Sequence, residues 1–427
     1  MKQFVSQIWH SSAARNVGKL LSANIIAQAI GLLIYPILTR LYSPEDFGVL
    51  GLYVSLAGTI AMIATANYQN AITLPKEDKQ AIGVFQIGFF LLLASTILTA
   101  CTIPFCHQIA CWFKRPELAQ LYWTLPIYIF ALGLWPLLNN WYIRTKKFSA
   151  TAAYQINLSL TSAGGKVGMS YICPSASGLI SASIAGAWIS LVANVIRNWR
   201  KSLYRLSQGD KTTCLAAAKT YKNFPLYSLP QSLVNQVSGQ LPVWLLLPVF
   251  GAEKIGLWNM ALLLSFTPLS LIAKALNQVF YQHLSEHVNQ KQTIRKFYTR
   301  FVSYGLLALI PFFFGLWFIL PALTEWLLGH EWREAGEYIR WLLPWLCLAT
   351  INSGISFIPD LFFRQRLSLF FEIALLILRA GAILASYLTN NFIVGVAGIS
   401  LANCIICTAQ LIWYRQMTDA YDRRLKE

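Results

Sequence analysis

Tyr42-Ser-Pro-Glu-Asp-Phe-Gly-Val-Leu-Gly-Leu-Tyr53 lies between two long apolar runs, and Phe250-Gly-Ala-Glu-Lys-Ile-Gly-Leu-Trp-Asn-Met-Ala261 echoes it 208 positions later. Glu45 matches Glu253 and Gly48 matches Gly256. In the preceding runs Gln28 matches Gln236, Leu33 matches Leu241 and Leu38 matches Leu246 at the same offset. The chain therefore reads as two related halves. Internal repeats of membrane segments are a common way to build a transporter, with the substrate handled where the repeats meet.

The composition agrees with a membrane setting. Of 427 residues 56% are hydrophobic and only 12% charged, and the mean hydropathy is +0.50, which excludes a soluble globule with a polar skin. Runs long enough to cross about 30 Å of hydrocarbon occur near 17–39, 47–74, 81–104, 119–142, 153–172 and 178–197. The second half supplies 225–249, 255–281, 301–328, 339–360, 367–388 and 392–413. The expected fold is an all-α integral membrane protein of twelve transmembrane helices. It divides into an N-terminal six-helix lobe over 1–197, a cytoplasmic linker over 198–222 and a C-terminal six-helix lobe over 223–427. Span 153–172 is the weakest, with Gln155, Asn157, Ser159, Thr161, Ser162 and Lys166 inside it.

Charge supports that span. One set of alternate loops carries only Arg40, Lys114, Arg115, Lys254, Arg333 and Arg340, and three cations fall within spans, leaving 25 of the 34 Lys and Arg on the other set. The bias persists beyond span five, so both termini are expected in the cytoplasm by the positive-inside rule. The net charge of +17 thus reflects topology and contact with anionic membrane lipids. No basic patch sits on a soluble domain, which argues against a nucleic-acid partner. The basic loop Arg197 to Lys222 carries Trp199, Leu203, Tyr204 and Leu206 and reads as an interfacial segment; Phe4, Val5, Ile8 and Trp9 give the N-terminus a comparable apolar face, beside Lys2 and Arg15. Cys106 and Cys111 share an outer loop, with free thiols the default over a disulfide. No Cys/His spacing suggests a metal, and no cofactor is expected. Glu331, Glu334 and Glu337 around Arg333 read as a solvated outer loop.

Polar side chains within spans mark the faces turned from lipid. Span one carries Asn24, Gln28, Gly31 and Tyr35 along one side, and span seven carries Ser228, Gln231, Ser232, Asn235, Gln236 and Gln240. Stripes of this kind also serve helix-to-helix hydrogen bonding. The intramembrane cations Lys166, Lys274 and Arg379 carry more weight, each costing roughly 2.5 to 3.5 kcal/mol if left facing lipid at mid-membrane. Glu372, two turns from Arg379, offsets only part of that charge, so the interior favours an anionic ligand. The expected substrate contacts are Lys166, Lys274, Arg379, Asn24, Gln28, Asn235 and Gln236, with Glu372 and Asp360 as candidates to take up H⁺ or Na⁺.

The run Pro36-Ile-Leu-Thr-Arg-Leu-Tyr-Ser-Pro-Glu-Asp-Phe-Gly48, followed by Asn70-Ala-Ile-Thr-Leu-Pro-Lys76, resembles the start of polysaccharide flippases of the Wzx type, in the MOP superfamily. In that resemblance Pro44 ends a helix and Ser43 or Asp46 caps the next one. The resemblance implies two six-helix lobes forming a V around a central cavity. It implies a flippase that moves an undecaprenyl-diphosphate-linked oligosaccharide, a repeat unit of O-antigen, capsule or exopolysaccharide, across the bacterial inner membrane by alternating access. It further implies a monomer that works with a polysaccharide polymerase and a chain-length regulator. A lipid II flippase, a MATE-like multidrug or cation antiporter and a membrane polysaccharide polymerase are the alternatives. The antiporter needs intramembrane carboxylates that spans one to six lack, and the polymerase, an enzyme, needs a catalytic loop or domain outside the bilayer.

Overall fold

The computed structural model describes residues 12–208, 211–290, 292–362 and 364–425. The amphipathic stretch Phe4 to Trp9, with Lys2, lies outside them. The described residues are helical, with no β-strand among them. Among the described residues nine helices are long and apolar enough to cross a membrane. The chain forms two compact units, Met1–Val237 and Ser238–Glu427.

In the first unit, α1 (Ser12–Leu33) and α2 (Tyr35–Leu41) run up to the quoted motif, and α3 (Pro44–Ala64) runs from it. The turn is made by a capping box. Ser43 Oγ accepts from Asp46 N–H at 3.3 Å, Asp46 Oδ2 accepts from Ser43 N–H at 3.0 Å, and Pro44 takes the first helical position, where its missing N–H costs nothing. The unit continues through α4 (Asp78–Cys101), α5 (Leu125–Arg144), α6 (Phe148–Ser170), α7 (Ala176–Asn198) and the short α8 (Lys211–Thr220).

The polar span expected at 153–172 is the helix α6, packed between α1 and α7. Its low apolarity has a packing explanation. A Cβ on Gly186 of α7 would lie 2.9 Å from the Ser162 backbone, so the two helices approach at a small-residue contact. Thr161 Oγ1 donates to Gly186 O at 3.1 Å and bonds Ser190 Oγ at 3.0 Å in the same seam. Nearby, Tyr142 of α5 donates to Asn194 Oδ1 at 2.7 Å, and Asn194 Nδ2 donates to Ala150 O at 2.8 Å, tying three helices together.

The segment that follows α7 docks on this unit. Trp141 Nε1 donates to Ser202 Oγ at 3.2 Å, Gln86 to Leu206 O at 3.2 Å, and Leu203 and Leu206 are buried, while Trp199 and Tyr204 stay exposed. Helix α8 lies so close to α4 that a Cβ on Gly83 would sit 2.7 Å from Thr213 O. Cys106 and Cys111 fall on one short helix, Cys106–Trp112, and both thiols are free.

The division between the units falls within the first part of α9 (Leu229–Asn289), a 61-residue stretch that is two helices meeting at Gly251. Gly251 has φ 86° and ψ 168°, a backbone open to glycine and strained for other residues. It stands 208 positions after Ser43, so the two repeats break their helices at matching residues by different means, a proline-containing capping box in one and a glycine in the other. The second part runs to Asn289, eight residues past the expected end at 281. The second unit continues with α10 (Arg295–Leu328), α11 (Arg333–Gly354), α12 (Gln365–Thr389) and α13 (Phe392–Arg424). Close contacts again set the packing: added Cβ atoms would stand 2.7 Å from Pro321 Cα at Gly336 and 2.8 Å from Ala382 Cβ at Gly398.

Of the acidic cluster, Glu331 stays exposed but Glu334 is engaged. His330–Trp332 is a single turn, Glu334 lies on α11, and its carboxylate accepts from Lys254 Nζ at 2.6 Å and from the Tyr338 hydroxyl at 2.7 Å. This joins the glycine hairpin to the segment that opens α11. In the first unit Glu45 at the start of α3 pairs with Arg115, in the segment leading to α5. Each repeat thus pins its hairpin to the approach of its fourth long helix by an ion pair, with the signs exchanged.

Candidate functional site

The expected substrate contacts distribute over both units. Asn24 and Gln28 are half-buried on α1, and Lys166 is half-buried on α6, the helix packed against it. Gln28 Oε1 and, on α6, Gln155 Oε1 are enclosed without a hydrogen-bond partner among the described residues. A buried amide oxygen left without a hydrogen bond costs about 1–3 kcal/mol. The Lys166 backbone carbonyl accepts from the Tyr42 hydroxyl at 2.7 Å, which fixes this turn of α6 to the hairpin motif.

The polar stripe at 228–240 divides by partner. Asn67 Nδ2 donates to Ser232 Oγ at 3.0 Å and to Ser228 Oγ at 3.4 Å, and Gln236 Nε2 donates to Thr59 Oγ1 at 3.4 Å. Ser228, Ser232 and Gln236 recur every four residues, so one side of this helix is committed to α3 and the turn after it. Asn235 is on an exposed side. The Asn67 site is built to be rigid. Its backbone is left-handed at φ 61°, its side chain is buried, Gln69 Nε2 donates to its Oδ1 at 3.1 Å, and Thr65 Oγ1 donates to Gln69 Oε1 at 2.5 Å.

In the second unit Arg379 is half-buried on α12. Its Nη1 donates to Ser238 Oγ at 3.0 Å and its Nη2 to Asn403 Oδ1 at 2.8 Å, and its guanidinium carbon lies 5.9 Å from the centre of the Trp345 ring. Its Nε is enclosed without a partner among the described residues. These hydrogen-bond partners are neutral, so they orient the guanidinium without cancelling its charge. Glu372, half-buried two turns earlier on α12, is the nearby acid in electrostatic contact with it. The side chains of Lys274 and Asp360 lie outside the described residues; their backbones belong to α9 and to the short helix Ile358–Leu361. Among the described residues no three His, Cys, Asp or Glu side chains gather as a metal site requires.

A half-buried arginine that charge counting assigned to topology alone organises the second half of the family-like motif. Arg144, at the end of α5, donates from Nη2 to Asp78 Oδ1 at 3.0 Å and from Nη1 to Pro75 O at 2.6 Å. Nη1 also reaches Ile72 O at 3.4 Å and Nη2 reaches Lys76 O at 3.5 Å, so one guanidinium closes the Ile72-to-Asp78 turn. The signal was present in sequence only as a single cation at a helix end facing a Pro-containing turn.

The comparisons with known proteins agree with this architecture. The chain is 20% identical over 365 residues to the succinoglycan biosynthesis transport protein ExoT of Rhizobium meliloti (strain 1021), an alignment covering 82% of this chain and 69% of that one. An uncharacterized membrane protein in the cps region of Klebsiella pneumoniae is also 20% identical, covering 75% of this chain and 64% of that protein. In fold the chain is similar to an inward-facing multidrug resistance MATE family transporter of the MOP superfamily, with a TM-score of 0.62 at 12% identity over 95% and 98% of the two chains. A MOP superfamily transporter from Pyrococcus furiosus gives a TM-score of 0.58 at 15% identity over 99% and 98%. With a family model for polysaccharide biosynthesis proteins matching residues 37–337, this multi-pass membrane chain belongs to the polysaccharide biosynthesis protein family and has the fold of the MOP superfamily transporters.

Proposed function

We propose that the protein is a flippase that carries an undecaprenyl-diphosphate-linked oligosaccharide from the cytoplasmic to the outer leaflet of the bacterial inner membrane, with both termini in the cytoplasm. The observation that carries this reading is Arg379, a guanidinium kept inside an apolar helical unit by neutral hydrogen-bond partners. The charge is held in place by neutral acceptors, which suits an anionic diphosphate.

In this reading Lys166, Lys274 and Arg379 attract the diphosphate, the amides of Asn24, Gln28 and Asn235 meet saccharide hydroxyls, and the polyprenyl chain stays in the bilayer. Gln236, whose amide also donates to Thr59 Oγ1, is a further saccharide contact. The two units alternate access to the two sides, and turnover requires the cargo to bind the two states differently. Glu372 and Asp360 are the groups to exchange H⁺ or Na⁺ during the cycle. The family membership and a relative named as a succinoglycan biosynthesis transport protein support a polysaccharide precursor as cargo. Depleting the protein in its host tests the reading: a lipid-diphosphate-linked saccharide should accumulate with its sugar in the inner leaflet. Sensitivity to cationic drugs without such accumulation would instead identify an antiporter.

A further inference from the structure

Each unit has a basic pocket, and the two pockets occupy corresponding places in the repeat. In the second unit the pocket lies between the start of α10 and the end of α13 and encloses about 590 Å³. Arg295, Lys296, Arg300, Arg415 and Arg423 line it. Its two carboxylates are already engaged. Asp422 accepts from the backbone N–H groups of Ile294 and Arg295 at 3.0 and 3.2 Å, satisfying donors at the beginning of α10, and Asp419 Oδ1 lies 3.1 Å from Arg295 Nε.

The pocket of the first unit encloses about 570 Å³ between the start of α4, the end of α5 and the segment after α7. Lys76, Arg144, Lys147 and Arg205 line it, with Asp78 as the one acid. Asp78 is 3.0 Å from Arg144 and 4.0 Å from Arg205. Helices α4 and α10 are each the third long helix of their repeat, and α7 and α13 each the sixth. The lining cations therefore outnumber the carboxylates by three in both pockets.

The positive-inside bias explains basic loops, but it does not explain why like charges are gathered into a concavity. Gathered cations repel unless an anion joins them. Guanidinium and ammonium donors at the end of a helical bundle match the acceptor oxygens of a phosphate, which arginine binds through paired N–H groups. At the surface of a cytoplasmic leaflet the abundant phosphate is that of an anionic phospholipid.

We propose that each unit carries a phosphate site in this pocket and takes the phosphate of an anionic lipid headgroup there. The site is separate from the cargo contacts and does not depend on what the protein transports. The test uses the full chain, purified and delipidated, titrated with phosphatidylglycerol or phosphatidylcholine and read by native mass spectrometry. Two phosphatidylglycerol molecules should remain bound under conditions that remove phosphatidylcholine.

The combined variant Lys296→Gln, Arg300→Gln, Arg423→Gln should keep one of the two and weaken the other about a hundredfold, roughly fivefold for each cation removed. The charge-conserving variant Arg300→Lys, Arg423→Lys should keep both, which separates loss of charge from loss of folding. Inorganic pyrophosphate supplies the second arm. Phosphatidylglycerol that resists displacement assigns the site to the lipid headgroup, whereas two bound pyrophosphates that displace it assign the same sites to soluble phosphate. Equal retention of phosphatidylglycerol by the wild type and the glutamine variant, or equal binding of phosphatidylcholine, would overturn the proposal.

Discussion

Replacing Arg379 separates the charge of this residue from its packing. Ser238 is 1% exposed and Asn403 3% exposed, and each accepts one hydrogen bond from Arg379. Arg379→Met leaves both acceptors buried and unmatched, at about 1–3 kcal/mol each, so the second unit should lose roughly 2–6 kcal/mol. Adding Asn403→Leu and Ser238→Ala removes the orphaned groups as well. Among the described residues Asn403 Nδ2 donates to the Ile399 carbonyl one turn back, at 2.7 Å, so leucine sacrifices little else.

The triple variant should therefore recover most of the lost stability, because replacing both partners of a buried hydrogen bond by apolar groups is nearly neutral. It should not recover transport, because the cation is gone. Thermal unfolding in detergent measures the first quantity, and surface polysaccharide at matched protein level measures the second. Wild-type polysaccharide in the triple variant would remove Arg379 from the mechanism, and an unchanged unfolding temperature in Arg379→Met would refute the hydrogen-bond account.

Three further outcomes follow from the geometry. Asn67→Ala should destabilise the first unit more than Asn67→Gly: both lose the bonds to Ser228 and Ser232, but alanine adds about 1–2 kcal/mol for the left-handed backbone, and equal unfolding temperatures would contradict this. Gly186→Val should separate α6 from α7 and reduce folded yield sharply, whereas Gly164→Ala on the open side of α6, with nothing within 4 Å of its added Cβ, should be silent in the same fluorescence-detected size-exclusion assay. Cys173 lies in the turn between α6 and α7, where the Ser175 and then the Ser177 hydroxyl, at 3.1 and 3.2 Å, hold its thiol below the usual range. With the other cysteines replaced, a membrane-impermeant maleimide should label it from outside intact cells at a lower pH than it labels a free thiol. Labelling only after lysis would invert the topology.

The hairpins and most helices were legible because hydrophobic periodicity is a direct consequence of crossing a bilayer. Helix α6 was legible as an element but not in its role, since a hydropathy window cannot distinguish a weak span from one whose small and hydroxyl residues permit close approach to Gly186. Gln236 read as a cavity residue by its stripe. Its bond to Thr59 depends on which residue of another helix it meets, which spacing within one helix does not encode.

Arg144 was counted as one of many inner cations because the acceptors of its five hydrogen bonds belong to four positions far back in the chain, and its role is visible only after the Pro75 turn folds beneath it. Glu334 had the same fate in reverse: Lys254, its partner, is 80 residues away, so the cluster around it looked solvated. Intramembrane charge was the best guide to Arg379 because its cost in lipid is independent of tertiary detail, but the neutral identity of Ser238 and Asn403 as its partners was not readable from sequence.

The central claim, movement of a lipid-diphosphate saccharide, is tested most directly by purified protein in liposomes loaded with an undecaprenyl-diphosphate-linked oligosaccharide, with the sugar on each side followed by an impermeant lectin. Wild-type protein should speed equilibration of lectin-accessible sugar between the leaflets, and the Arg379 triple variant should leave it at the protein-free rate. Equal rates with and without wild-type protein, in vesicles where its fold is intact, would contradict the account.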